Sequence, residues 1–292
     1  MTDVAQRPFL FTETDDELDE TDRGLVYDLT TLDRRQVLKL LGFGGFSASL
    51  FVIAGCGPSA SASASAAASA SSAAATDGTA ASCAVIPEET AGPFPGDGSN
   101  GPDVLNQSGV VRSDIRTSFG DSSGTADGVP LTIQLTIQDT SAECAPLAGA
   151  AVYVWHCDRE GNYSLYSQAA ADQNYLRGVQ EADDNGVVTF QSIFPACYSG
   201  RWPHIHFEVY PSLETATDEA NKIATSQVAL PKDICDQVFA TDGYSQSVAN
   251  MSQVSLESDN VFRDDGAVHQ LGSMSGSIAD GLTVALTVPV GA

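Results

Sequence analysis

The sequence predicts an all-β domain with long loops, preceded by a leader that has no packed fold of its own. Three observations lead there. Short segments alternate apolar and polar residues with period two through the second half of the chain. No regular strand–helix–strand alternation separates them, which suits a sandwich or barrel rather than a parallel sheet. The composition also changes abruptly near Cys83, from Ser and Ala to a mixed, Pro- and Gly-punctuated sequence.

The elements follow in chain order. Residues 1–33 are polar and acidic, with no sustained hydrophobic period. Asp33-Arg34-Arg35-Gln36-Val37-Leu38-Lys39 then leads into an apolar stretch ending in Val52-Ile53-Ala54-Gly55-Cys56. Paired arginines, an apolar segment rich in Gly and Ala, and small residues before a cysteine resemble a twin-arginine signal with a lipoprotein cleavage box. On that reading residues 1–56 are a signal segment, Cys56 carries lipid, and the protein is exported to the cell envelope, lipid-anchored and extracytoplasmic. A transmembrane helix at Val37–Gly55 is the alternative, and the stretch is barely long enough for it. Residues 57–82 are almost entirely Ser, Ala, Gly and Thr. Such a run buries too little apolar surface to offset its chain entropy, so a disordered tether is expected there.

The folded domain is expected over 83–292. Leu131-Thr132-Ile133-Gln134-Leu135-Thr136-Ile137-Gln138 is the cleanest strand pattern, and Ala151–His156 continues it after the turn-like Pro146-Leu147-Ala148-Gly149. Val187–Phe190, His204–Tyr210, Ser226–Leu230 and Leu282–Val290 read as further strands. Asp183-Asp184-Asn185-Gly186 suits a hairpin turn, and Glu214–Ile223 alone has modest helical character.

Thirty-eight acidic residues against 13 basic ones give a formal net charge of -25. An excess of this sign repels phosphate backbones and anionic lipid surfaces, so nucleic acid is excluded as a partner and a basic membrane-binding face is not expected. None of the six cysteines shows CxxC spacing, so a zinc knuckle is not expected. With Cys56 lipidated, Cys83, Cys144, Cys157, Cys197 and Cys235 allow at most two disulfides, whose pairing the sequence leaves open. An oxidising compartment would permit them.

Chemistry concentrates in Tyr198-Ser199-Gly200-Arg201-Trp202-Pro203-His204-Ile205-His206. On a strand, side chains two apart share a face, so His204 and His206 can meet at one metal ion. Imidazole alone does not select among iron, zinc, copper and nickel. Tyr198 just upstream, and Tyr163 at the end of Trp155-His156-Cys157-Asp158-Arg159-Glu160-Gly161-Asn162-Tyr163-Ser164, narrow the choice. Phenolate is a hard oxygen donor suited to a trivalent ion, whose charge holds a tyrosine ionised far below its free pKa of about 10. His156 reads as a structural histidine on a strand and His269 as an exposed loop residue.

With these residues in view, the chain resembles the intradiol ring-cleavage dioxygenases. The resemblance rests on Glu89–Pro95, Arg112–Arg116, Trp155–Ser164, Leu176–Gln180 and Phe194–His206, in that order, and is greatest with the family's secreted, single-subunit branch. It implies an iron-bearing β-sandwich core and a non-haem Fe(III) cofactor. It also implies a catechol-type substrate opened with O2 between its two hydroxylated carbons to give a muconate-type diacid, with no reductant. Carried over by position, Tyr163 matches the retained equatorial tyrosinate and Tyr198 the axial one that leaves as substrate binds. His204 and His206 match the two histidine ligands. Arg201 matches the arginine facing the bound catecholate, and Gln227 the glutamine that orients it. Only two residues separate Tyr198 from Arg201, where the protocatechuate enzymes have a longer insertion, so the shape of the pocket mouth does not carry over. Two other readings compete on the residues alone. One is a surface-attached binding module without activity; the other is a divalent-metal hydrolase using His204 and His206 with carboxylates. Neither gives the tyrosines or the arginine any work.

Overall fold

The computed structural model describes residues 83–292. The expected signal segment 1–56, its lipidated Cys56 and the tether 57–82 lie outside the described residues. Within them, two sheets pack face to face. One is five-stranded: β1 (Pro130–Asp139) pairs with β2 (Ala145–Pro146) and β5 (Val187–Ile193) along one edge, and with β9 (Gly281–Val290) along the other. β8 (Ser273–Ser277) lies beyond β9. The other sheet is four-stranded, in the order β4 (Arg177–Glu181), β3 (Ala151–Trp155), β6 (His204–Tyr210), β7 (Ala224–Ala229). Most pairing is antiparallel, but β1 and β9 run parallel in register from Leu131 opposite Leu282 to Asp139 opposite Val290.

The alternation read from the sequence decides which face each residue takes. Leu131, Ile133, Leu135 and Ile137 of β1 are all buried and meet Val152, Val154, Ile205, Phe207 and Val209 of the second sheet in one continuous core. Interdigitation of the two inner faces is the usual way such sheets bury apolar area. The remaining residues of β3 and β6 face the other way. Yet Tyr153, Trp155, His204, His206, Glu208 and Tyr210 are buried too, because loops cover that outer face and build a second apolar cluster with Val104, Val110 and Tyr163. A strand buried on both faces thus carries apolar residues inward and functional ones outward.

Three expectations are corrected. Glu214–Ile223 forms no α-helix; its helical part is a single 3-10 turn at Glu219–Asn221, after a run of hydrogen-bonded turns. There the Thr215 hydroxyl accepts from Ser212 N–H and donates to Ser212 O, and the Thr217 hydroxyl donates to Glu214 O; such bonds compete with helical pairing. The helices lie instead at α1 (Lys232–Phe239) and α2 (Ser245–Met251). Asp183–Gly186 is a turn but not a hairpin, since it joins β4 to β5, which belong to different sheets. Asp183 Oδ1 accepts from the backbone N–H groups of Asn185 and Val187 at 2.8 and 2.9 Å, turning the chain from one layer to the other. β3 stops at Trp155, leaving His156 just beyond it. One disulfide joins Cys83 to Cys144, while Cys157, Cys197 and Cys235 are buried thiols.

Candidate metal centre

Strand register lays out the floor of the site. Trp155 of β3 lies opposite His206 of β6, which lies opposite Gln227 of β7. The three therefore stand side by side on the outer face. His204 is two residues along on the same strand, and the two imidazole Nε2 atoms lie 3.1 Å apart.

Loops bring the phenols down onto this floor. Tyr163 comes from the β3–β4 connection, where Asp158 Oδ1 accepts from the backbone N–H groups of Glu160 and Asn162 and folds the segment into a tight turn. Ser167 Oγ then accepts from Tyr163 N at 2.9 Å. The Tyr163 hydroxyl reaches 3.4 Å from both His204 Nε2 and His206 Nε2. Tyr198 comes from the β5–β6 connection, and its hydroxyl lies 3.3 Å from His204 Nε2. The two loops touch through Gly161, whose missing Cβ would stand 3.3 Å from Cβ of Tyr198. Its φ of +94° also suits glycine alone.

Each donor is oriented from behind. His204 Nδ1 donates to Trp202 O at 2.5 Å, which leaves Nε2 with its lone pair toward the cluster. The His206 ring stacks on Trp155 at 4.8 Å and 7°. Phe94 packs 5.0 Å from the Tyr163 ring. The Phe94 carbonyl is held at 2.9 Å and the Pro95 carbonyl at 2.6 Å by the buried guanidinium of Arg177, which also donates to Ser164 O beside Tyr163.

Burial sets the protonation states. Loss of water, reinforced by Arg201, lowers His204 to about 3. Burial, then His204 and Arg201, lowers His206 well below its ordinary value. Both rings are therefore neutral at pH 7, the form able to bind a metal. Burial, followed by the charge of Tyr198, raises Tyr163 well above 10, so only a strong positive charge can ionise it there. Donor atoms 3.1 to 3.4 Å apart match the edges of a coordination shell with bonds of about 2.1 Å. The four residues thus fit one ion. Phenol oxygens are needed to complete the set, because no group of three or more His, Cys, Asp or Glu side chains suited to a metal occurs among the described residues.

Beside the donors, Arg201 is almost wholly buried. Its Nη2 donates to Gln227 Oε1 at 2.7 Å and its Nε to Asp259 Oδ2 at 3.0 Å. Gln227 Nε2 donates in turn to Thr90 O at 3.0 Å, tying the arginine to the segment that carries Phe94. Gly92 of that segment lies directly over His206, with φ +70° and a Cβ position 3.4 Å from Cε1. All the expected site residues, Tyr163, Tyr198, Arg201, His204, His206 and Gln227, therefore meet in one place. Asp259 and Arg177 went unassigned. Asp259 lies 58 residues from its partner in a polar loop, and nothing in its neighbours marks it. His156 stays outside the cluster, bonded to Cys157 O and Ser192 Oγ, and His269 is exposed.

A family model described as Dioxygenase matches residues 100–265. Chlorocatechol 1,2-dioxygenase of Rhodococcus opacus is 41% identical over 63 residues, 22% of this chain and 24% of that protein. Catechol 1,2-dioxygenase of Pseudomonas sp. (strain EST1001) is 32% identical over 72 residues, 25% of this chain and 23% of that protein. The matched stretches thus span about a quarter of either relative. Among solved structures, an intradiol ring-cleavage dioxygenase from Tetranychus urticae shares the fold with a TM-score of 0.55 at 24% identity, covering 72% of this chain and 95% of that one.

Proposed function

The chain belongs to the intradiol ring-cleavage dioxygenase family, and from that premise we propose that it is a non-haem Fe(III) enzyme that opens catechol-type rings with O2 between the two hydroxylated carbons. The observation that carries this reading is the convergence of two phenol oxygens and the His206 nitrogen on His204 Nε2, each within 3.4 Å of it, with Tyr163 equally close to His206. Iron is the metal this family generally uses, and phenolate favours its ferric form over a divalent ion. When bound, it would chelate the catecholate and draw charge from the ring, making a ring carbon reactive toward O2.

The protein's own residues divide the remaining work. Tyr163, Tyr198, His204 and His206 would hold the ion. Tyr163 is buried and backed by Phe94, so it stays in place. Tyr198 is partly exposed and sits on a Ser199-Gly200 turn, so it is the phenol able to swing aside and take a substrate proton on its oxygen. Arg201 presents a fixed guanidinium charge to the anion that develops as the ring ketonises. Gln227 holds one edge of that guanidinium. The product expected is a muconate-type diacid.

The address read from the leader belongs to the same proposal: export on a twin-arginine-type signal and anchoring through lipid on Cys56. The Cys83–Cys144 disulfide supports it, since such bonds persist in oxidising compartments. The decisive experiment is aerobic purification of the full chain, iron loading, a visible spectrum, and oxygen uptake with a panel of catechols. A burgundy protein whose band shifts with a catechol and which consumes O2 is expected. A colourless protein after iron loading would refute the ferric assignment.

A further inference from the structure

Asp259 is fully buried and uses both carboxylate oxygens. Oδ1 accepts from the backbone N–H groups of Val261 and Phe262 at 2.8 and 3.1 Å, fixing its own loop. Oδ2 accepts from Arg201 Nε at 3.0 Å and from the backbone N–H of Trp202 at 2.7 Å. One oxygen thus grips both the guanidinium and the chain that carries it. We propose that Asp259 is the positioning residue for Arg201, setting its plane and keeping its charge in the site for ring cleavage. The inference rests on the reading of this cluster as a ring-cleavage centre.

The geometry explains why one partner would not suffice. A single contact leaves a guanidinium free to turn about the bonded nitrogen. Contacts at Nε with Asp259 and at Nη2 with Gln227 lie on different edges, and together they fix both the plane and the rotation. The two partners also differ in charge. Gln227 is neutral and is itself tied to Thr90 O, so it orients. Asp259 supplies the negative charge that lets a guanidinium stay out of water, where an uncompensated one is strongly disfavoured. The two carriers come from separate elements, β7 and the loop after α2, so neither substitutes for the other. Stabilising charge is effective in catalysis when its donors need no rearrangement during the reaction. A shifted Arg201 would act less on the transition state than on the bound substrate.

The test uses iron-loaded full-length protein with Asp259→Asn, Arg201→Met and the double substitution. It reads kcat with catechol, and the catechol dissociation constant from the visible band without oxygen. Asp259→Asn should lower kcat about 10- to 100-fold while changing the dissociation constant less than about threefold. In the Arg201→Met background the same change should cost less than about twofold, because residues acting through one another are not additive. A kcat within about twofold of wild type, or a loss that multiplies the Arg201→Met loss in full, overturns the proposal. Should Asp259→Asn fail to fold, Asp259→Glu keeps the charge one methylene further out and is judged by the same thresholds. Wild-type protein that consumes no O2 with any catechol refutes the ring-cleavage reading and this inference with it. Active wild type with an indifferent Asp259→Asn refutes the positioning role alone.

Discussion

Acidification should unfold the protein, prepared without added metal, partly through a histidine outside the cluster of Tyr163, Tyr198, His204 and His206. His156 is buried beyond the end of β3, with Nδ1 2.7 Å from Cys157 O and Nε2 2.7 Å from Ser192 Oγ. The carbonyl can only accept, so Nδ1 carries a proton, and burial keeps the ring neutral at pH 7. Burial is the largest influence and lowers its pKa from 6.5 to about 4. In the unfolded chain the ring takes up a proton below pH 6.5, whereas the folded chain resists until about 4. Its contribution is therefore constant above pH 6.5 and turns against folding as pH falls through that window. The linkage amounts to about 2 kcal/mol at pH 5 and saturates near 3.4 kcal/mol below pH 4. Urea unfolding of wild type and His156→Gln from pH 8 to 4.5 isolates the effect as a difference curve. Glutamine retains a donor and an acceptor without titrating. A difference that stays flat from pH 8 to 4.5, or that grows in favour of wild type on acidification, would refute the reasoning.

Two further outcomes follow from the site and the leader-proximal staple. Tyr163→Phe should weaken iron retention at least about 100-fold, more than removing an outer partner of a ligand typically does; iron content after dialysis against a chelator measures it. Converting Cys83 and Cys144 to serine opens a loop of 61 residues. Loop-closure entropy then predicts a loss of about 4 kcal/mol, read as a lower urea midpoint with the site's spectrum unchanged.

The sequence was most legible where one face of a strand is dry and the other partly wet. β1 is near to what alternation predicts, because Leu131, Ile133, Leu135 and Ile137 must all face one core. β8 was invisible, since Ser273-Met274-Ser275-Gly276-Ser277 has no apolar period and is a strand only because β9 offers it backbone partners. α1 is about two turns long; Cys235, Val238 and Phe239 share one face, but so short a stripe does not stand out from a loop sequence. At the site, the two-residue spacing of His204 and His206 on a strand is readable by itself, whereas the ligand roles of Tyr163 and Tyr198 come from the resemblance to the intradiol family. Asp259 could not be found, because its role comes from a tertiary approach to Arg201 and any loop aspartate would look the same.

The parallel pairing of β1 with β9 has a kinetic meaning. Thr140 Oγ1 and Val290 O, at the ends of this ladder, are 150 residues apart. Contacts of such separation form slowly, since the intervening chain must be confined before they contribute. The sheet that carries His204 and His206 needs only β3, β4, β6 and β7, which all precede β8. During synthesis, residues through Ala229 can leave the ribosome with that sheet's strands complete while β1 still waits for its neighbour. Truncation before Gly281 should therefore leave β1 with one open edge, a sticky surface whose first symptom would be aggregation during refolding.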